Sequence, residues 1–426
     1  MSHQSQKFTF HVALRAAVTA LVFVFAMTVV AVPAAQAQTY KVIHDFTGGQ
    51  DGWGPAAGFT MDKAGNFYGT TTRGGYMGGE CTSYGGCGTV FRLSHRGSGW
   101  VLSPLYAFQG GEDGIGPQSR VIFGPDGRLY GNTALGGSHG SGTAFSLRPP
   151  AASCRAAFCP WNEAVLFAFD DSVAGPPTGD LVSDASGNLY GATWQGGLGC
   201  GVFTCGAVYE LTPAGGSWTL NVIHNFSLSD GYHPSSGLIF DQSGNLYGTT
   251  GSGPSGGCGG LGCGTVYQLS PSQSGWTENI LYAFQDGRAG VDPAGGLIFD
   301  TAGNLYGTTV GGQGRDGSYP IVFELSPSNG GWTFSVLYEL PGNDGPNRSL
   351  AMDAAGNLYG VTGSSLLFKL APGAGGWTYT DLHNFTGGSD GGNPNTSVTI
   401  DASGNLFGTA SSGGKYGYGV VWEITP

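Results

Sequence analysis

Asp241-Gln242-Ser243-Gly244-Asn245-Leu246-Tyr247-Gly248-Thr249-Thr250 is the stretch that decides the fold. Asp241 to Gly244 reads as a tight turn, in which Asp caps the backbone and Gly supplies positive φ. Asn245 to Thr250 reads as a short strand leaving that turn. The apolar run Gly237-Leu238-Ile239-Phe240 before it reads as another strand. After a Gly-rich loop, Gly264-Thr265-Val266-Tyr267-Gln268-Leu269 alternates as a third. Ser270 to Gly275 turns the chain, and Trp276 opens a fourth strand running to Phe284. We label these strands a, b, c and d in chain order.

The turn-and-strand phrase returns at Asp62–Gly69, Asp184–Gly191, Asp300–Gly307, Asp353–Gly360 and Asp401–Gly408, with a looser copy at Pro125–Gly131. A period of roughly 50 to 60 residues is the mark of a repeat architecture. Four short antiparallel strands per copy, with no helical pattern between them, match one propeller blade. Six d strands open on Trp (Trp100, Trp161, Trp218, Trp276, Trp332 and Trp377). Each has an apolar residue eight positions on: Phe108, Phe169, Phe226, Phe284, Leu340 and Phe385. The seventh copy stops at Glu423-Ile424-Thr425-Pro426, which matches the end of a c strand. Its d strand is supplied from the start of the chain, where Tyr40–Phe46 aligns with Leu220–Phe226 and Gln38 falls in the Trp slot. The expected fold is therefore all-β: a seven-bladed β-propeller of four-stranded antiparallel blades, closed by the N-terminal strand completing the last blade. Closure leaves no unfinished sheet edge to invite aggregation.

Residues 1–37 read as a signal peptide and 38–426 as a single propeller domain. Lys7 and Arg15 give the positive start, Ala16 to Val32 the apolar run, and Ala35-Gln36-Ala37 the small-x-small cleavage site. An uncleaved membrane anchor is the rival reading. The formal net charge is −12; without Lys7 and Arg15 of the leader it becomes −14. So acidic a chain is a poor binder of nucleic acid or of anionic membranes. The expected protein is secreted, with the periplasm as the other compartment, monomeric, and off the membrane after cleavage. Its partner is an extracellular carbohydrate or protein. With 81 Gly and 12% aromatic residues, the chain suits short strands and Gly-rich turns rather than disorder. Eight Cys fall in four close pairs: Cys81 with Cys87, Cys154 with Cys159, Cys200 with Cys205, and Cys258 with Cys263. In an oxidising compartment these read as local disulfides. Metal is the alternative, but no His has the matching spacing.

Gly-Asn-Leu-Tyr-Gly-Thr-Thr, then Gly-Gly, then Gly-Thr-Val-Tyr/Phe-x-Leu, resembles the GloVer (gloeo/verrucomicrobial) tandem repeat of exported bacterial proteins with a choice of anchor. Arg73-Gly74-Gly75, Gly88-Thr89-Val90-Phe91-Arg92-Leu93, Gly142-Thr143-Ala144-Phe145 and Gly264-Thr265-Val266-Tyr267 carry the likeness. It covers essentially the whole mature chain. It implies export and attaches no catalytic residue to the repeat. One departure is that the chain ends on a repeat strand with no sorting helix or anchor domain, which favours release.

The a–b turns lie on one face of such a ring, and the b–c loops and d–a connections on the other. The a–b turns are near-identical, as turn geometry demands, and offer too few oxygen ligands for Ca²⁺. The opposite face varies, and variable loops on a rigid scaffold are where function tends to sit. Its d–a connections share Asp-Gly, at Asp51, Asp113, Asp230, Asp286, Asp344 and Asp390. Turn chemistry explains them; a sharper reading is an acidic rim that holds Ca²⁺ or hydrogen-bonds sugar hydroxyls. No other cofactor and no metal is expected. His44, His224 and His383 share one d-strand slot with Tyr106, Phe167, Tyr282 and Tyr338, which reads as a packing position. The strand-opening Trp residues read as blade-to-blade packing. Trp53, Trp194, Tyr232 and His233, with His139, Arg288 and Arg315, fall outside the repeat positions on the variable face and are the candidate ligand contacts. No Gly-x-Ser-x-Gly elbow and no phosphate loop appears. The leading function is a non-catalytic binding module. The rivals are a polysaccharide hydrolase or lyase using rim Asp residues as acid and base, and a structural component of the envelope or matrix.

Overall fold

In the computed structural model the turn phrase closes on its own carboxylate. The structure describes residues 38–425 apart from 98, 151–159, 172–173, 199, 201–204, 255–256, 261, 286–289, 312–318, 343–344, 347 and 395. In the first copy, Asp62 Oδ1 accepts the backbone N–H groups of Ala64 and Asn66, each at 2.9 Å. Its Oδ2 accepts Asn66 Nδ2 at 2.8 Å and the Tyr68 hydroxyl at 3.1 Å. Gly65, with φ 77°, completes the turn. The same cage recurs at Asp184, Asp241, Asp300 and Asp353. Asp, Gly, Asn and Tyr thus each have a role in one turn. The remaining Gly serves close approach: a Cβ on Gly69 would stand 2.7 Å from Phe91 Cζ on the paired strand.

Seven sheets result, each ordered a-b-c-d, as the repeat predicts. In the fourth blade, Leu246–Ser252 pairs with Thr265–Ser272, which pairs with Gly275–Ala283. Strand a departs from the expected run Gly237–Phe240. It is two pieces, Tyr232–Pro234 and Ile239–Phe240, both paired to Leu246–Ser252. The first and second blades break likewise, at Trp53–Pro55/Thr60–Met61 and Ile115–Pro117/Ile122–Phe123. A Pro ends the first piece each time, removing a ladder donor. The residues of the gap bulge toward the central axis.

The ring closes as expected. Thr39–Asp45 is the outer strand on Val420–Thr425, which continues through Leu406–Ala410 to Thr399–Ile400. Phe46 donates its N–H to Gly419 O at 3.0 Å, as Phe108, Phe226 and Phe284 do to Gly88, Gly206 and Gly264 in their blades. The apolar residue eight after each Trp is buried, as is Phe46, and six of these seven pack on an aromatic of the next blade's c strand: Phe46 on Phe91, Phe108 on Phe145, Phe169 on Tyr209, Phe226 on Tyr267, Phe284 on Phe323 and Phe385 on Trp422. Trp161, Trp218, Trp276, Trp332 and Trp377 each pack on the motif Tyr of the preceding blade, and Trp100 on Phe407. The core is therefore a set of blade interfaces. Burying one such Phe contributes about 1.5–3 kcal/mol.

Cys81–Cys87, Cys200–Cys205 and Cys258–Cys263 are disulfides with Cα separations of 5.0, 5.8 and 5.4 Å. The structure does not describe the fourth expected bridge, because Cys154 and Cys159 both lie outside the described residues. Residues 1–37, expected to be a signal peptide, lie outside them as well. Each described bridge closes a loop within one b–c segment, worth about 2 kcal/mol in the chain-entropy model. Reduction is expected to lower the melting temperature by several degrees and leave the strand signal in circular dichroism intact. Loss of that signal in reductant at 25 °C would contradict this. Among the described residues no helix is long and apolar enough to cross a membrane.

Candidate functional site

The two faces of the ring differ in what they expose. Six aromatic side chains among the described residues are exposed: Tyr76, Tyr84, Trp194, Tyr319, Tyr416 and Tyr418. All six stand on the b–c side, in or at the start of b–c loops. The opposite edge carries the carboxylate cages, and the exposed large apolar residues beside its turns, Met61 and Val101, are not aromatic.

Three of the predicted contacts come together there. Trp194 is 45% exposed and stacks on His233, centroids 4.2 Å apart and planes 20° off parallel. Tyr232 meets His233 edge-on at 4.7 Å. The repeat explains the meeting. Trp194 follows strand Leu189–Thr193 in the slot Thr72 holds in the first blade, and His233 stands where other blades have Gly54 and Gly116. These slots adjoin across a blade boundary, as Thr72 O beside Gly116 shows. His233 keeps the glycine conformation, φ 57°, a strained state for a side-chain-bearing residue. Burial holds its imidazole below the usual range.

Tyr232 corrects the sequence reading. It is 7% exposed, begins the inner strand, and occupies the repeat slot of Trp53 and Ile115 rather than lying outside it. Trp53 joins a separate cluster, 5.3 Å from Tyr418 and beneath Arg73 at 4.9 Å. His139 is exposed. Arg288, Arg315, Asp286 and Asp344 lie outside the described residues.

The four described rim Asp residues are held within their own d–a turns. Asp51 accepts Thr47 N at 2.9 Å and His44 Nε2 at 3.2 Å. Asp390 takes Thr386 N at 2.9 Å and His383 Nε2 at 3.3 Å. Asp230 takes Ser227 N at 2.7 Å, with His224 Nε2 at 3.3 Å in ion-pair range but without hydrogen-bond geometry. Asp113 accepts the Tyr106 hydroxyl and Gln109 N, both at 2.9 Å. Burial raises all four carboxyls; in Asp51, Asp230 and Asp390 the His and backbone donors outweigh it and the pKa falls. Asp113 has no His and stays raised. The d-strand His slot thus does more than pack: it supplies Asp51 and Asp390 with a donor and sets His224 in ion-pair range of Asp230. Among the described residues no three His, Cys, Asp or Glu gather to hold a metal ion.

The bulges of the a strands line a central channel. Asp180 is the one carboxylate among its described lining residues, and it already accepts Arg120 N at 2.8 Å with Arg120 Nε 3.2 Å away. Among the described residues no pair of acids for glycoside cleavage is assembled there.

Sheet order, closure and blade interfaces define a seven-bladed β-propeller built from a tandem repeat. The chain belongs to the Gloeobacter/Verrucomicrobia repeat family, whose pattern matches residues 27–197, 159–366 and 258–426. No functionally curated protein is similar. Among solved structures, the RRP9 WD40 repeats align at 12% identity over 90% of this chain and 96% of that one, with TM-score 0.53. A putative 6-phosphogluconolactonase from Bacteroides fragilis aligns at 12% identity over 77% and 82%, with TM-score 0.50. At such identity the likeness is one of fold.

Proposed function

We propose that the protein is an exported, non-catalytic binding module that engages an extracellular ligand, a carbohydrate or a surface protein, through its b–c and d–a face. The observation that carries this reading is the segregation of every described exposed aromatic onto that face. Aromatic side chains present a rigid apolar surface with a polar edge, suited to sugar rings and to protein hot spots. Local disulfides and the acidic charge fit an extracellular setting. A glycan array, run beside capture of proteins from the outer surface of bacteria, is expected to yield a specific ligand. Trp194→Ala should then weaken it by about 10- to 30-fold, the cost of a hot-spot Trp. Stability should move by no more than about 0.5 kcal/mol, as for an exposed position. Absence of any retained ligand in both formats, or full affinity in Trp194→Ala, would overturn the proposal.

A further inference from the structure

The central channel widens, toward the d–a end, into a cavity of about 290 Å³ lined by Gln118, Ser119, Asn132, Thr178, Ser235 and Arg348, among others. Its volume is at the lower end for ligand pockets, about that of a monosaccharide. Two departures from the repeat meet there.

The first is Asn132. Its slot, next to the motif Gly in strand b, holds Thr in four other blades. Thr70, Thr308 and Thr409 donate to a carbonyl of the next blade (Ser119 O at 3.1 Å, Pro346 O at 3.0 Å and Ala57 O at 3.4 Å), and Thr249 pairs with Ser236 Oγ at 2.9 Å. Asn132 is 4% exposed, and neither its Oδ1 nor its Nδ2 has a hydrogen-bond partner. It neighbours the buried Tyr209 hydroxyl, also unbonded, without making hydrogen-bond geometry. Buried amides without partners are rare and costly in native proteins.

The second is Arg348. The equivalent positions elsewhere are Ala57, Ser119, Gly179, Ser236, Gly295 and Thr396, all small. Arg348 is partly buried in the channel wall, and Asp180 is the acid that acts on it. Asp180 is also engaged by Arg120 at 3.2 Å. The channel's three described charges therefore sum to one positive, inside a chain whose net charge is −12. The remaining lining of the cavity is mainly hydroxyl and amide, with Gly179 and the small apolar residues Ala134, Pro177 and Ala294.

We propose that this cavity binds a small hydroxylated carboxylate of sugar-acid size, with Arg348 taking the carboxylate and Asn132, Ser119, Thr178 and Ser235 meeting its hydroxyls. The site is separate from the aromatic face and does not depend on it.

Isothermal titration of the mature protein with galacturonate and, for comparison, glucose tests this. Galacturonate should bind with a dissociation constant of about a millimolar or tighter, and glucose at least about tenfold more weakly. Arg348→Gln should weaken galacturonate by about 10- to 100-fold and erase the preference over glucose. Asn132→Thr restores the repeat's own residue, so it should melt at or above the parent temperature and yet bind galacturonate about tenfold more weakly. If Arg348→Gln does not fold, Asn132→Thr decides alone. Trp194→Ala should leave galacturonate affinity unchanged, which separates this site from the face. No galacturonate binding, no preference over glucose, unchanged affinity in folded Asn132→Thr, or loss in Trp194→Ala would each overturn the proposal.

Discussion

Deleting residues 38–45 is expected to abolish the folded monomer, and a peptide spanning 39–46 added in trans is expected to restore it. That segment is the outer strand of the last blade, laid on Val420–Thr425. Tyr40 stacks on His383 of the preceding blade, centroids 3.8 Å apart and planes 5° off parallel, and its hydroxyl donates to Asp390 O. Tyr40 and Val42 pack on the cluster of Phe385, Val420, Trp422 and Ile424. Ile43 packs on a second cluster that holds Phe46, Phe91 and Phe407. One strand thus bonds both blades that flank the closure. Burying Tyr40, Val42 and Ile43 contributes about 1.5–3 kcal/mol apiece when complete, a large part of a net stability of about 5–15 kcal/mol. The deletion also leaves Val420–Thr425 as an open edge, which recruits other copies. Light scattering after size exclusion should show aggregate for the deletion and monomer once the peptide is bound, the logic of strand addition. A deletion variant that stays monomeric and melts cooperatively within a few degrees of the parent would show that the ring does not need its closing strand.

What the sequence made legible is local, and what it hid is assembled. The caged turn could be read because Asp, Gly, Asn and Tyr act within seven residues of one another, so a single copy carries the whole geometry. Closure could be read because Tyr40–Phe46 repeats a strand found six times elsewhere. The His slot was harder. His exchanges with Tyr and Phe there, which suggests packing alone. The sharper signal was that His44, His224, His383 and Tyr106 each precede a rim Asp by six or seven residues, and His and Tyr are both donors. Phe167 cannot donate, and the connection after it lacks the Asp-Gly pair. The Trp194–His233 stack and the Arg120–Asp180–Arg348 channel join slots from different blades. Only the sheet register says which slots adjoin, so single-copy patterns could not place them.

Stability is expected to peak in mildly acidic solution, between about pH 4.5 and 6, and to fall on both sides. The acid side follows from the cages. Burial raises Asp62, Asp241, Asp300 and Asp353, but Asn, backbone and Tyr donors outweigh it, and each folded pKa lies below its ordinary value. The rim carboxyls Asp51, Asp230 and Asp390 are lowered as well. A lowered carboxyl stabilises the fold above its unfolded pKa of about 3.9, and that contribution disappears as pH falls through the folded value. The alkaline side follows from three buried acids shifted the other way. Burial lifts Glu163 to about 7, with Asp113 adding to it. Burial lifts Glu278 to about 7 against the opposing charge of His224, and Asp292 to about 6. The folded state binds their protons more tightly than the unfolded state does, so stability is lost as pH rises from about 4.5 through 7. His233 and His383, lowered chiefly by burial, pull weakly the other way over the same range. Glu163 Oε1 and Asp113 Oδ1 are both buried without partners, and the donors that Asp113 has, the Tyr106 hydroxyl and Gln109 N, both reach its Oδ2. Glu163→Gln should therefore stabilise the protein by about 1 kcal/mol at pH 8, after allowance for solvent screening, and by almost nothing at pH 4. Melting temperatures across pH 2 to 9 for the parent and this variant provide the check. A parent curve that rises steadily from pH 5 to 8, or a variant gain equal at both ends, would mean that the buried acids do not set the alkaline limb.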